Sequence, residues 1–132
     1  MIKRVDHIAI AVNSLDEALG VFEGLLGVKA AHTETVAEQG VKAALIPIGD
    51  GEIELIEPLD AQSGVAKFIE RRGEGIHHIC LEVDNIDEEL KSLAARGVEL
   101  IDKQGRRGLA GKVGFLHPRA AKGVLIELAE KV

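Results

Sequence analysis

The chain has no tryptophan and no tyrosine, and its 132 residues include only three phenylalanines. Without stacking rings, and with a formal net charge of −6, it lacks both the aromatic platform and the positive field that nucleic-acid binding requires. Cysteine is as scarce. Cys80 stands alone, so no internal disulfide can form, and a single thiol within a strand pattern suits a reducing compartment. No uncharged run approaches the roughly 20 apolar residues of a membrane-spanning helix. Met1 to Asp6 lead directly into a strand pattern, so neither an export signal nor membrane association is expected, and the expected location is the cytoplasm. The hydrophobic 46% of the residues is enough for one domain, 1–132, to bury a core without staples.

What the chain does contain is a repeat. The segment His7-Ile8-Ala9-Ile10-Ala11-Val12-Asn13-Ser14-Leu15-Asp16-Glu17-Ala18-Leu19 aligns without a gap on His78-Ile79-Cys80-Leu81-Glu82-Val83-Asp84-Asn85-Ile86-Asp87-Glu88-Glu89-Leu90. Further on, Ile53-Glu54-Leu55 recurs as Ile126-Glu127-Leu128, at a spacing that one short loop insertion explains. Such self-similarity marks two copies of one supersecondary unit, module one about 1–70 and module two about 71–132. Each opens with an alternating strand. Ile8, Ile10 and Val12 share one face while His7, Ala9 and Ala11 share the other; Ile79, Leu81 and Val83 likewise oppose His78, Cys80 and Glu82. The branched face calls for a helix, and the small or polar face suits the inside of a cupped sheet around a ligand.

Both modules then carry helix signals. Ser14 with Glu17, and Asn85 with Glu88, have the spacing of capping boxes. Leu15, Ala18, Leu19, Phe22, Leu25 and Leu26 form the first helical stripe, stopped by Gly27; Ile86, Leu90, Leu93 and Ala94 form the second, stopped by Gly97. Three more strands are expected per module: 29–35, 41–48 and 52–57, then 99–104, 112–116 and 124–129. Asp50-Gly51 signals one hairpin turn, and His117-Pro118 with Lys122-Gly123 closes the matching one. A short helix over 65–71, capped by Ser63, links the modules. The expected class is α+β: two tandem βαβββ modules forming a cupped, mostly antiparallel sheet with helices on the outer face.

The repeat also pairs functional residue types. His7 and His78 hold equivalent places on the first strands, Glu54 and Glu127 on the last, all four in the phase opposite the helix. A pseudo-twofold would bring them to one cup. Two imidazoles and two carboxylates form a mixed nitrogen and oxygen set that suits a divalent transition ion and leaves two octahedral positions open to a chelating substrate. His77 lies one residue out of phase and reads as a packed structural residue. Cys80 reads as core filler, while Glu52, Glu57 and Glu82 are expected at strand ends or in solvent. The glycine-rich stretch Gly105 to Gly114 has no phosphate-loop pattern and reads as a loop.

Paired βαβββ modules with this His/Glu/His/Glu set resemble the vicinal oxygen chelate superfamily. Within it, Asp6-His7-Ile8-Ala9, Glu38-Gln39-Gly40-Val41, Gly75-Ile76-His77-His78-Ile79, Phe115-Leu116-His117-Pro118 and Gly123-Val124-Leu125-Ile126-Glu127-Leu128 are similar to the methylmalonyl-CoA epimerase family. The resemblance implies interconversion of the 2R and 2S forms of methylmalonyl-CoA by proton transfer at C2, through a thioester enolate stabilised by one divalent metal ion per chain, Co, Mn, Ni or Zn. It implies that Glu127 is a proton carrier as well as a ligand, and that the chain is a homodimer. Some members of the family carry a second glutamate three residues after the glycine of Glu-Gln-Gly-Val, where this chain has Ala43. An ordered water or a residue of the His117 loop are the alternatives for the second carrier. A CoA thioester substrate would need cations for its phosphates, and Arg106, Arg107, Lys112, Arg119 and Lys122, with Lys103, cluster in the last third of the chain. Two rival readings share the scaffold: a glyoxalase I-like isomerase acting on a glutathione hemithioacetal, and a metal-free protein that sequesters a ligand of the bleomycin kind.

Overall fold

Alternating branched and small residues build strand β1 (Ile2–Ala11), and each later change of hydrophobic period begins a new element. In the computed structural model, which describes residues 1–109 and 111–131, β1 is followed by α1 (Leu15–Gly24), β2 (His32–Val36), β3 (Val41–Ile48), β4 (Gly51–Pro58) and α2 (Gly64–Arg72). Next come β5 (Gly75–Val83), α3 (Ile86–Ala95), β6 (Arg106–Gly108), β7 (Gly111–Leu116) and β8 (Ile126–Glu130). The βαβββ order occurs twice, so the α+β class and the repeat hold. The chain forms two units, one of His7–His77 and one of Met1–Asp6 together with His78–Val132. Among the described residues no helix is long and apolar enough to cross a membrane.

In the unit of His7–His77 the strands lie in the order β2-β3-β4-β1, with β1 parallel to β4 and the other neighbours antiparallel. Helix α1 starts where Ser14 Oγ accepts the Glu17 N–H at 3.2 Å and Glu57 Oε1 accepts the Leu15 N–H at 2.6 Å, so two of the otherwise unpaired helix N–H groups are satisfied. Its inner face joins Val12, Leu15, Ala44, Ile46 and Leu55 in one core, with Ile10, Leu19, Phe22 and Ile53 packed around them. That settles which sheet face meets the helix: the one carrying Ile10, Ala44, Ile46, Ile53 and Leu55.

The second unit repeats the plan. Its strands run β6-β7-β8-β5, with β5 and β8 parallel. Asn85 Oδ1 accepts the Glu88 N–H at 3.1 Å and Glu130 Oε1 accepts the Ile86 N–H at 2.9 Å. Val83, Ile86, Leu90 and Leu128 form the core, with Leu81, Leu93, Leu116 and Ile126 against it. Glu57 and Glu130, each three residues beyond a candidate ligand glutamate, are thus repeat-related helix caps. Glu57 does lie next to the end of its strand, as expected, and its carboxylate caps a helix there.

Three local expectations change. Helix α1 stops at Gly24, earlier than Gly27, because glycine is a poor helix interior residue; Leu25 and Leu26 leave the stripe and stand 80% and 62% exposed. Residues 99–104 form no strand beyond a single bridge from Leu100 to Leu116. There the Asp102 carboxylate accepts the Phe115 N–H at 2.8 Å, and a side chain taking a backbone donor competes with ladder formation. The edge strand forms instead at Arg106–Gly108, inside the glycine-rich stretch read as a loop. The β3–β4 turn sits at Gly49-Asp50, one residue early, with Gly49 supplying the positive φ of 58°.

Candidate metal and substrate site

The sheet face away from α1 carries the candidate ligands of the first unit. In the β1–β4 ladder Ala9 lies opposite Glu54, and His7 is one same-face step before Ala9. Parallel pairing in this register therefore sets imidazole and carboxylate on one face, with His7 Nε2 3.9 Å from Glu54 Oε1. The next strand continues the face, for Leu45 lies opposite Glu54 and Ala43 opposite Ile56. Lys42 takes the other phase and is exposed.

The second unit builds the same constellation. Cys80 lies opposite Glu127, and His78 is one same-face step before Cys80, which leaves His78 Nε2 3.0 Å from Glu127 Oε1. Phe115 lies opposite Glu127 on the far side, and its ring meets the His78 ring edge-on at 5.5 Å. All four candidate ligands are buried, His7 to 3%, Glu54 to 5%, His78 to 6% and Glu127 to 4% exposure. Burial of four such groups at repeat-related positions is the main electrostatic feature of the molecule, because a buried carboxylate or imidazole needs a partner to be stable. His77 behaves differently: it is half-buried, and its ring packs edge-on against Phe68 at 4.9 Å.

The cations divide. Arg106, Arg107, Lys112 and Lys131 line a groove of about 660 Å³ along the β6–β7 hairpin. A neighbouring hollow of about 560 Å³ shares Lys112 and adds Lys91 and Lys103. Arg106 lies over the Phe115 ring at 5.5 Å and bonds Asp102 at 3.0 Å. Lys112 bonds Asp87, which holds the ammonium above its ordinary pKa and the Asp87 carboxyl below its own. Arg119 lines neither hollow; it binds Glu99 at 2.9 Å, keeping that carboxyl below the usual range. Lys122 lies at a turn after Pro118–Ala121 with φ 59° and also lines neither.

Some residues were not legible as part of this region. Asp6 is buried and accepts bonds from Arg4 at 3.2 Å and Lys131 at 2.9 Å. Lys131 shares the phase of Glu127 and Ala129, so strand periodicity alone could have pointed to it. Glu82 is not in solvent but bonds Arg4 at 2.8 Å. Cys80 is buried and packed with Val113 and Ala129.

The sequence profile of the glyoxalase/bleomycin resistance protein/dioxygenase superfamily matches residues 6–115. Uncharacterized protein YqjC of Bacillus subtilis is 44% identical over 128 residues, covering 96% of this chain and 91% of that protein. The mitochondrial methylmalonyl-CoA epimerase of Dictyostelium discoideum is 37% identical over 132 residues, covering 98% of this chain and 80% of that one. A solved methylmalonyl-CoA epimerase in complex with methylmalonyl-CoA and NH4+ aligns with a TM-score of 0.95 at 34% identity, covering 100% of this chain and 96% of that one.

Proposed function

The chain belongs to the glyoxalase/bleomycin resistance protein/dioxygenase superfamily and is an epimerase within it, and from that premise we propose that it interconverts the 2R and 2S forms of methylmalonyl-CoA by moving the proton at C2. The observation that carries the reading is the recurrence, in both units, of a buried histidine and glutamate in one strand register: His7 with Glu54, and His78 with Glu127.

The donor chemistry fits a metal. Imidazole nitrogens and carboxylate oxygens, nearly shielded from water, are the mixed set that suits Co, Mn, Ni or Zn. In this reading His7, Glu54, His78 and Glu127 together hold one divalent ion per chain. Bound there, such an ion supplies Lewis-acid stabilisation of negative charge on the substrate's oxygens. The protein's own part is the proton. Glu127 accepts the C2 proton; the C–H electron pair passes into the thioester as an enolate, and a proton delivered to the opposite face of C2 completes the inversion. Cys80, Val113 and Ala129, buried on the same strand face as Glu127, limit water around the carboxylate. The groove of Arg106, Arg107, Lys112 and Lys131 is the proposed seat of the coenzyme's phosphates, a local positive field on an acidic chain. A single domain spanning 1–132, a homodimer and a cytoplasmic location complete the reading, the last in keeping with the single cysteine.

The test is substrate choice. Enzyme supplied with a divalent ion should bring either pure epimer of methylmalonyl-CoA to the same mixture of both, and should leave the hemithioacetal of methylglyoxal and glutathione untouched. Conversion of the hemithioacetal without epimer interconversion would sink the reading.

A further inference from the structure

We infer that Phe115 is a positioning residue for the His78–Glu127 pair: its ring fixes the plane in which the His78 imidazole is offered to a metal ion. The inference rests on the proposed reading for what His78 and Glu127 do. Every contact it uses lies within one unit, that of Met1–Asp6 with His78–Val132.

Three neighbouring strands set the arrangement. Phe115 on β7 lies opposite Glu127 on β8, which lies opposite Cys80 on β5, so the three side chains share one sheet face, and His78 is one same-face step before Cys80. The Phe115 ring therefore meets His78 diagonally across β8, a span within the reach of aromatic side chains. The ring centroids are 5.5 Å apart with the planes at 83°, the edge-to-face geometry that ring quadrupoles favour. Glu127 Oε1 stands 3.0 Å from His78 Nε2. A contact at one nitrogen leaves the imidazole plane unset; a perpendicular ring beside it sets that plane.

Phe115 is itself held at two points. Its N–H donates to Asp102 Oδ2 at 2.8 Å, and Asp102 Oδ1 accepts from Arg106 Nε at 3.0 Å. The Arg106 guanidinium then lies over the Phe115 ring, 5.5 Å from its centroid, where the ring face attracts a cation. One carboxylate thus anchors both the backbone at Phe115 and the cation above its ring. The repeat shows that the fold does not require a ring here. Leu45 lies opposite Glu54 as Phe115 lies opposite Glu127, so leucine fills the equivalent place in the other unit.

F115L therefore removes the ring and puts in its place the residue that the repeat already uses. Groups that orient a ligand without touching the ion change metal affinity or activity by about 10–100-fold when removed. Calorimetric titration of the ion-free protein with Co²⁺ should accordingly give a Kd raised about 10–100-fold in F115L, with an altered visible spectrum of the Co²⁺ form. F115Y keeps the ring's edge and face and should recover most of that affinity. With the ion saturating, F115L should lower kcat for the CoA ester by about tenfold or more and leave KM nearly unchanged. Leu116→Ala is the control for a merely structural effect, because Leu116 packs on the opposite face against the core of Val83, Ile86, Leu90 and Leu128; it should lower Tm and leave Kd unchanged. A Kd and Co²⁺ spectrum for F115L equal to the wild type's, an F115Y as weak as F115L, or an equal loss of affinity in Leu116→Ala overturns the role of Phe115. Failure of the wild-type protein to bind a divalent ion, or to interconvert the epimers, overturns instead the reading on which it rests.

Discussion

Alanine at His78 and alanine at His77 should have opposite consequences, although the residues are neighbours in sequence. His78 is buried with its Nε2 3.0 Å from Glu127, so His78→Ala removes a proposed ligand and leaves the carboxylate without its imidazole. Breaking a buried pair costs about 3–5 kcal/mol, a fall in Tm on the order of 10 °C for a chain of this size. His77→Ala loses the edge-on contact with Phe68 at 4.9 Å, worth about 0.5–1.5 kcal/mol, and should shift Tm by only a few degrees. Bound metal, measured by elemental analysis after dialysis against metal-free buffer, should stay near one ion per chain in His77→Ala and fall close to zero in His78→Ala, with epimerase activity following it. If His77→Ala strips the ion and His78→Ala keeps it, the assignment of strand phase is wrong.

Charge reversal at Arg106 and Arg107, which line the basic groove, should raise KM for the CoA ester by about tenfold or more at low salt with little change in kcat; an unchanged KM would move the phosphates elsewhere. The Asp87–Lys112 pair should show in the pH dependence of stability. Asp87, its carboxyl pKa lowered chiefly by the bond from Lys112 and then by the Gly105 N–H, contributes stability above the unfolded carboxylate pKa of about 4 that is lost as pH falls. Lys112, raised chiefly by Asp87, contributes below about pH 10 and loses that contribution as pH rises. D87N should therefore flatten both limbs in urea titrations, and a limb unchanged in D87N would refute the coupling. Gly111→Ala should destabilise by about 2 kcal/mol or more, since at φ 129° its Cβ would stand 2.5 Å from the Glu130 carbonyl oxygen; a Tm equal to the wild type's would contradict that.

The repeat made most of the fold legible, because period-two alternation around His7 and His78 and the paired caps Ser14 and Asn85 are local signals. It also picked out four residues that prove to be buried, His7, Glu54, His78 and Glu127, since Glu54 and Glu127 share a phase that neighbouring branched residues define. Long-range information was harder to read. The helix-capping role of Glu57 and Glu130 depends on where a helix start lands against β4 or β8. The edge strand at Arg106–Gly108 depends on Asp102 diverting the residues before it to the Phe115 N–H. The pairing of His32 with Leu45 and of Glu34 with Ala43 depends on the register of β2 against β3, which no periodicity sets for a five-residue edge strand with polar residues on both faces. Long-range placement likewise decides that the cations Arg119 and Lys122, a few residues beyond Lys112, fall outside the groove, while Lys131, just after the last strand, falls within.

Hydrogen exchange at C2 tests the central claim most directly. Each epimer of methylmalonyl-CoA, incubated separately in D₂O with enzyme and a divalent ion, is followed by proton NMR at C2 and by chiral assay of the product. The account predicts that both epimers lose the C2 proton signal as they interconvert, with different deuterium contents in returned substrate and product, because the proposed carrier Glu127 is buried and Ala43 offers no matching second carboxylate. A C2 signal that persists from both epimers while the ion is bound would contradict it.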